Sequence, residues 1–517
     1  MISEEIKKKK TFNTAGLCFP EKHYMVDPLK RLQDVEQLIE QESYFTLHAP
    51  RQTGKTTYLY ALARKLNAES TYIALVVSFE RAGVASMSLA TANETVINAI
   101  YNSSIAQLEK KYQPQNPEGK KFTDLYNYLK AWCKNQKKPI VLFIDEIDAL
   151  LDDVLISILR QLRDGYQARP KHFPSSVVLV GLRDVRDYKI HIREDRQSYG
   201  AASPFNVKAV SLFLKNFTRE EVFELLDQHT RETGQIFSVE VKDEIFRLSN
   251  GQPWLVNALA NRIVLKNDYS KKITLDIVTE AKNQLILQRD THLDSLVDKL
   301  RETRVKKIIE AIINGDVLPF DIYDDDILYV RDLGIVAQTD PLKFANPIYA
   351  EIIPRIMGAT FQSSIPEEIQ TQHFVNPNGT LNMEKVLKEF QAFYRRNSDA
   401  WLDRFEYKES AHHLLLMAFL QRVINSGGEI IREMAVGNGR LDMLVKFKTQ
   451  QFAMELKIRR NKYTLEDGKE QLSRYLDKLG LKEGYLVIFD PGNLEWEEKI
   501  YYKDISYNDK KIITVGL

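Results

Sequence analysis

The sequence predicts an α/β protein. A three-layer domain on a parallel sheet comes first, then an all-helical module, a winged-helix pattern and a separate mixed α/β domain. Three observations predict this. Nearly continuous apolar runs rich in β-branched residues (44–49, 71–79, 139–145 and 175–182) alternate with amphipathic stretches such as Thr56–Leu66 and Leu151–Arg163. Runs of that kind fit strands covered on both faces, and their succession is that of βαβ units. From Phe217 to about Leu285 the apolar period becomes helical. From about residue 380, helices give way to alternating strands, one more helix and closing strands.

Composition agrees with a multidomain globular chain. At 100–200 residues per domain, 517 residues suggest roughly three to five domains. Hydrophobic residues make up 44% and charged residues 28%, which excludes a disordered or collagen-like chain. Lys plus Arg number 72 against 71 Asp plus Glu, a net charge of +1, which excludes a uniformly basic coat but not a local basic patch. Cys18 and Cys133 are the only cysteines. They form no metal spacing and no disulfide framework, which suits a reducing, cytoplasmic setting. The lysine run Lys7–Lys10 has no apolar run after it, so no signal peptide is expected, and so short a charge run reads as a solvated tail rather than a nucleic-acid arm. No stretch of about 18 apolar residues occurs, so no membrane span is expected.

Taken in order, the expected boundaries are 1–205 for the first domain, 206–289 for the helical module, 290–358 for the winged helix, 359–379 for a linker and 380–517 for the last domain. In the helical module, Thr218 with Glu221 three residues on forms a capping box, Gly234 stops that helix, a second helix ends at Gly251, and a third runs on from Pro253. The winged-helix pattern lies in DDILYVRDLGIVAQTDPLKFANP, with a turn at Gly334; the linker is rich in Ser, Pro, Gln and Asn.

The sharpest motif follows the first apolar run and opens a helix: Ala49-Pro50-Arg51-Gln52-Thr53-Gly54-Lys55-Thr56. It fits the phosphate-binding loop GxxxxGK[ST], with Ala49 in place of the first glycine. Gly54 permits close backbone approach, and successive N–H groups at a helix start form an anion nest. Pro50, Arg51, Gln52, Thr53, Gly54, Lys55, Thr56 and Thr57 are therefore the expected nucleotide contacts, Lys55 on the β- and γ-phosphates and Thr56 on magnesium. The run 139–145 ends in Asp145, with Glu146 next; Asp145 would hold the magnesium and Glu146 would orient or activate the attacking water. Two exposed acids at the end of a buried strand would look alike. Arg183, just past the fourth run, could reach the γ-phosphate, or pair with Asp184 or Asp187 on the surface.

The segment FNTAGLCFPEKHYMVDPLKRL, the loop, the Asp145-Glu146 pair, the Gly181-Leu182-Arg183 strand end and Gly251-Gln252-Pro253-Trp254 together resemble the AAA-like ATPases of the STAND group, which include archaeal-type ATPases with a winged helix. The resemblance covers about residues 11–357. It implies ATP and magnesium as cofactors. It also implies a helical lid whose Gly-x-Pro proline, here Pro253, lies near the nucleotide, and an adenine-covering segment at His23-Tyr24-Met25. Arg183 would be its sensor arginine, and the chain a switch whose nucleotide state gates an effector. Proline is also common at the first position of any helix.

The second constellation is GNGRLDMLVKFKTQQFAMELKIRR, residues 437–460. Glu455 and Lys457 stand two apart on one strand and so share a face, and Asp442 lies on the strand before. The two carboxylates and the Leu456 carbonyl offer hard oxygens for magnesium, and Lys457 could position a water or stabilise charge on a phosphate. This resembles the PD-(D/E)XK nuclease superfamily over about residues 400–490, with Leu441 where that motif has proline. The resemblance implies a restriction-endonuclease-like fold. It adds Glu409 as a helical acid and metal ligand, and Gln471 with Tyr475 as a QxxxY pair. Arg459, Arg460 and Lys462 offer a basic patch for a phosphate backbone. Glu-x-Lys on a strand is otherwise common as a solvated face. His412-His413 lack a third ligand at metal spacing, and Cys133 reads as core.

The expected function is an ATP-driven switch controlling a magnesium-dependent DNA nuclease, by analogy in defence or mobile-element biology. The alternative is a nucleotide-gated scaffold with an inactive nuclease-like binding domain. A transcription regulator acting through the winged helix is disfavoured by the acidic DDDILYVRDLG. DNA is the expected partner; a homo-oligomer and an unidentified trigger or partner protein are left open.

Overall fold

The computed structural model describes residues 9–32, 34–83, 87–119, 122–150, 152–183, 208–265, 272–287, 296, 298–313, 318–321, 323–357, 371–402, 408–424, 428–436, 439–459, 461, 463–492 and 494–517. The chain divides into two compact units, Met1–Gln288 with Arg331–Gly334, and Arg289–Val330 with Ile335–Leu517.

The first unit holds a five-stranded parallel sheet: β1 (Tyr44–His48), β2 (Ile73–Ser78), β3 (Ile140–Asp145), β4 (Ser176–Gly181) and β5 (Lys208–Phe213), in the order β2-β3-β4-β1-β5. Its period of two sends alternate residues to opposite cores. Leu75, Val77, Leu142, Ile144, Val177 and Leu179 pack with helices α3 (Leu89–Gln107), α4 (Leu125–Lys134) and α5 (Asp152–Gly165). Val76, Val141, Phe143, Val178 and Val180 pack with α1 (Val35–Glu40) and α2 (Lys55–Ala68). Both faces are thus covered, as the continuous apolar runs require, and Cys133 and Trp132 lie in the first of these cores. Four of these strands are the apolar runs expected from the sequence. β5 is the fifth; it leaves Val210 and Phe213 exposed and has only a short apolar run, unlike β2 at the other edge, which is buried from Ile73 to Val77.

Helices α6 (Arg219–Thr233), α7 (Val239–Ser249), α8 (Pro253–Leu265) and α9 (Leu275–Leu287) follow. The capping box at Thr218 and Glu221 is present in both directions, and Gly234 closes α6 in the left-handed conformation. Gly251 has φ 69°, and a Cβ there would run into the Phe217 carbonyl, so only glycine fits this turn. The segment ahead of the sheet is clasped by these helices. Trp254 Nε1 donates to Thr14 O at 2.8 Å, Asn261 Nδ2 to Phe12 O at 2.7 Å, and the Gln228 amide bonds both N and O of Met25.

The second unit begins with α10 (Thr303–Ile313), α11 (Asp325–Asp332, whose last two residues cluster with the first unit), and the short antiparallel strands β6 (Val336–Ala337) and β7 (Lys343–Phe344) before α12 (Pro347–Met357). The acids of DDDILYVRDLG thus stand on and just before a helix, not on the strand pair. Then come α13 (Met383–Leu402), α14 (Lys408–Ile424) and a six-stranded mixed sheet. Its strands are β8 (Gly428–Val436), β9 (Gly439–Phe447), β10 (Gln450–Ile458), β11 (Glu483–Phe489), β12 (Tyr501–Tyr507) and β13 (Lys510–Gly516), in the order β12-β13-β11-β10-β9-β8. β11 runs parallel to β10 and β13; the other pairs are antiparallel. Helix α15 (Thr464–Leu479) packs Leu472, Tyr475 and Leu476 onto Leu441, Ala453, Leu486 and Ile512 of this sheet. No described helix is long and apolar enough to cross a membrane.

His412 and His413 are core residues, each 3% exposed. His412 bonds the Tyr394 hydroxyl through Nδ1 at 2.5 Å and stacks on Phe489, and burial pulls its pKa down to about 4. A histidine that charges near 6.5 when unfolded but only near 4 when folded costs stability as pH falls through that window, and nothing above it. At 1.36 kcal/mol per unit, the loss by pH 4 is about 3 kcal/mol. A His412→Gln variant is expected to lose less stability than the parent in denaturant unfolding between pH 7 and pH 4; parallel losses would contradict this.

Candidate functional site

β1 ends at His48 and α2 starts at Lys55, and the six residues between them form a cradle. Gln52 (φ 57°) and Gly54 (φ 93°) are both left-handed, the alternation that turns successive N–H groups to one side. Thr53 is buried and its hydroxyl donates to Pro50 O at 2.8 Å, bracing the loop. Lys55 Nζ reaches back to Ala49 O at 2.7 Å and Pro50 O at 2.9 Å. Burial pulls its pKa down to about 8, against the nearby charges of Asp145 and Asp148.

The end of β3 meets this cradle. Thr56 Oγ1 donates to Asp145 Oδ2 at 2.7 Å, and the Glu146 N–H donates to Asp145 Oδ1 at 3.0 Å. Burial pushes the Asp145 carboxyl above its ordinary value, opposed by the Thr56 hydroxyl and the Lys55 charge. Glu146 holds a left-handed φ of 56°, which costs a non-glycine residue about 1 kcal/mol. That geometry brings Oε2 within 2.5 Å of the Ser78 hydroxyl, which donates to it from the end of β2, in register with Asp145. Asp148, two residues further, is also pushed up by burial. Arg183 follows β4, whose Gly181 pairs with His48, and is buried at 6% exposed.

A cavity of about 310 Å³ opens beside the loop. The structure brings Gln52, Gly54, Lys55, Thr56, Thr57 and Pro253 to its wall, while Pro50, Arg51, Thr53 and Arg183 do not line it. Tyr24 and Met25 line it and His23 does not, so the segment ahead of β1 contributes two of its three expected residues. Sequence reasoning missed Ser78 and Arg31. The signal for Ser78 was its place as the last polar residue of a run ending at the same sheet edge as Asp145. Arg31 carries no motif.

In the second unit, the β9–β10 ladder is regular from Gln450–Phe447 to Met454–Met443. Beyond it, Asp442 replaces a backbone partner: its Oδ2 accepts from Leu456 N at 2.8 Å. Glu455 is fully buried, and Lys457 Nζ bonds its Oε1 at 2.8 Å and Gln471 Oε1 at 3.0 Å. Gln471 Nε2 in turn donates to Tyr475 Oη at 3.1 Å, from the next turn of α15. The expected residues Asp442, Glu455, Lys457, Gln471 and Tyr475 therefore converge. Glu455 Oε2 is buried and, among the described residues, has no hydrogen-bond partner. Burial raises the Glu455 pKa well above the ordinary value, and the Asp442 charge adds to this. Lys457 is raised as well: burial works against its charge, but Glu455 and Asp442 outweigh it.

Glu409 stands on α14, but its side chain lies outside the described residues, as do Arg460 and Lys462. Among the described residues no group of three His, Cys, Asp or Glu is placed to hold a metal. Arg459 is committed elsewhere, to Asp490 Oδ2 at 2.9 Å, so the basic patch is weaker than its sequence suggests.

Comparison with known proteins divides the two sites. Residues 385–493 match a family described as a domain of unknown function (DUF8371). No curated protein matches the chain. Similar solved structures include the Walker-type ATPase PABY2304 of Pyrococcus abyssi, 14% identical, over 66% of this chain and 98% of its own, with a TM-score of 0.47. The RuvB Holliday junction branch migration motor of Thermotoga maritima is 19% identical over 60% and 87%, with a TM-score of 0.32. Domain III of the Thermotoga maritima replication initiation protein DnaA is 15% identical over 52% and 94%, also at 0.32. Residues 38–188 match a family described as an AAA domain. With the loop, the paired Thr56 and Asp145, and the five-stranded parallel sheet inside or beside that span, the chain carries a P-loop ATPase domain.

Proposed function

We propose that the chain is an ATP-driven switch controlling a magnesium-dependent DNA nuclease in its C-terminal part. The observation that supports the first half is the 2.7 Å contact between Thr56 and Asp145, which places a hydroxyl and a carboxylate together at the mouth of a phosphate cradle. These hard oxygens fit magnesium, which neutralises phosphate charge when bound. Gln52 to Thr57 bind the phosphates, with Lys55 turning from Ala49 and Pro50 to them. Glu146 orients and deprotonates the attacking water, Ser78 restrains Glu146, and Arg183 answers the γ-phosphate. Pro253 and the Tyr24–Met25 segment close the cavity over the base, as a lid and adenine cover would.

The second half is supported by the buried oxygen of Glu455, without a hydrogen-bond partner among the described residues, next to Asp442 and Lys457. Asp442, Glu455 and Glu409 are the oxygen ligands on offer to magnesium, which there would polarise a phosphodiester and lower the pKa of a bound water. Lys457, held by Gln471, stabilises charge developing on the phosphate. Residues 290–358, a winged helix in this reading, relay the nucleotide state to the fold over 380–517.

Glu146→Gln is expected to bind ATP as the parent does and to lose hydrolysis by about 100-fold or more, the usual weight of an acid–base group. Ser78→Ala frees the same carboxylate and is expected to change the hydrolysis rate severalfold without changing ATP affinity. Steady-state phosphate release beside equilibrium nucleotide binding checks both. Unchanged turnover in Glu146→Gln would remove that residue from the mechanism.

A further inference from the structure

Arg31 ends the short helical turn Pro28–Arg31 ahead of β1, and its guanidinium bridges two parts of the first unit. Nη1 donates to Thr53 O at 2.9 Å, inside the phosphate loop, and Nη2 donates to Lys215 O, in the connection from β5 to α6. The cation lies 4.8 Å from the centre of the Phe217 ring, and both residues line the cavity. Among the described residues no carboxylate forms a salt bridge with it. Burial pulls its pKa down to about 10, with Glu221 the opposing charge.

The far end of the bridge is also fixed. Phe217 N donates to Gly251 O at 2.8 Å, and Asn216 Nδ2 donates to Asn250 O at 3.1 Å. Gly251 sits against the Phe217 carbonyl where no side chain fits, and two residues on Pro253 reaches the cavity wall. One arginine therefore joins the phosphate loop to the turn that starts α8.

We propose that Arg31 is a positioning residue that couples phosphate occupancy of the loop to the 215–217 connection and the 250–253 turn, so that helices α6 to α9 respond to a nucleoside triphosphate. This rests on the ATP reading above. The physical reason is a difference in partners. Neutral carbonyls and an aromatic face hold a half-buried guanidinium less strongly than a phosphate does, because charge-assisted bonds are roughly twice as strong. A polyphosphate in the cavity thus competes for Arg31, and whatever it takes from Lys215 O is felt at Phe217 and Gly251. A ligand shifts an equilibrium only through such a differential contact.

The test uses the full chain and hydrogen–deuterium exchange with a non-hydrolysable ATP analogue and with adenosine, beside equilibrium binding of each. In the parent, the triphosphate is expected to change exchange at 50–57, 214–218 and 250–254 together, and adenosine to change little. In Arg31→Ala, triphosphate affinity is expected to fall about tenfold, equivalent to one lost charge-assisted contact of about 1.4 kcal/mol. The response at 50–57 should persist while those at 214–218 and 250–254 disappear. Arg31→Lys keeps the charge but not the fork, and is expected to restore affinity to within about threefold without restoring the distant response. If Arg31→Ala does not fold, Phe217→Leu removes the stacked ring alone and is expected to weaken the response at 250–254. Parent-like affinity and parent-like exchange in these variants would overturn the proposal while leaving ATP binding intact. A parent chain that binds no triphosphate would overturn both.

Discussion

Lys55→Ala is expected to remove measurable nucleotide binding and hydrolysis while leaving the fold intact. Lys55 is the one cationic side chain of the cradle turned onto its own loop carbonyls, Ala49 and Pro50, at 2.7 and 2.9 Å. Those bonds are to neutral acceptors. A polyphosphate offers charged ones, and each charge-assisted bond contributes about 1.5–3 kcal/mol. Losing two of them weakens affinity by roughly 100-fold or more on that scale. The folded state loses little, because the Lys55 ammonium is held against burial, as its lowered pKa of about 8 shows. Calorimetric titration with ATP, beside thermal unfolding of the same variant, checks this. Parent-like affinity would mean that the cavity beside the loop takes some other ligand.

The second large effect is expected from Lys457→Ala, which should reduce DNA cleavage by roughly 100–1,000-fold, the range for removing one donor of an oxyanion hole. Lys457 is the only positive charge bonded to the buried Glu455 carboxylate among the described residues, and Gln471 and Tyr475 fix its direction. Removing it leaves Glu455 buried beside Asp442 with no other cation bonded to it among the described residues. A broken buried pair costs about 3–5 kcal/mol if the charge stays. Glu455 already has a raised pKa and can take up a proton instead. Asp442→Asn serves as the companion variant: it can still accept from Leu456 N, so the fold is expected to hold while the carboxylate pair is lost. Cleavage that survives both variants would assign the activity to another site or to a contaminant. Folded variants together with an inactive parent would favour a binding role for this part of the chain.

Much of the fold could be read from the chain because burial on both faces leaves a mark. Runs such as 139–144 are apolar throughout since β3 lies between two cores, and the loop after β1 announces itself by residue types that only a phosphate cradle needs together. β5 was missed for the opposite reason: Lys208 to Phe213 shows no comparable run, and Val210 and Phe213 stay exposed, whereas β2 at the other edge is buried from Ile73 to Val77 and was legible. The C-terminal carboxylates could be read because strand parity puts Glu455 and Lys457 on one face. That Asp442 reaches Leu456 N, and so stands in for a missing ladder bond, depends on where β9 leaves β10, which parity does not encode. Arg459 read as a free cation because Asp490 is 31 residues away in the chain. Ser78 left only the faint mark of a polar residue closing an apolar run, and Arg31 left none: its partners Thr53 and Lys215 are joined to it by tertiary packing alone.

The measurement that bears most directly on a nucleotide-controlled nuclease is cleavage of plasmid and linear DNA by the full chain in magnesium, with and without ATP, beside Lys55→Ala and Lys457→Ala. The expected result is cleavage that depends on ATP in the parent, loses that dependence in Lys55→Ala and is absent in Lys457→Ala. Cleavage that Lys457→Ala abolishes but that neither ATP nor Lys55→Ala alters would contradict the coupling. An intact parent that hydrolyses ATP and leaves every DNA substrate uncut would contradict the nuclease itself.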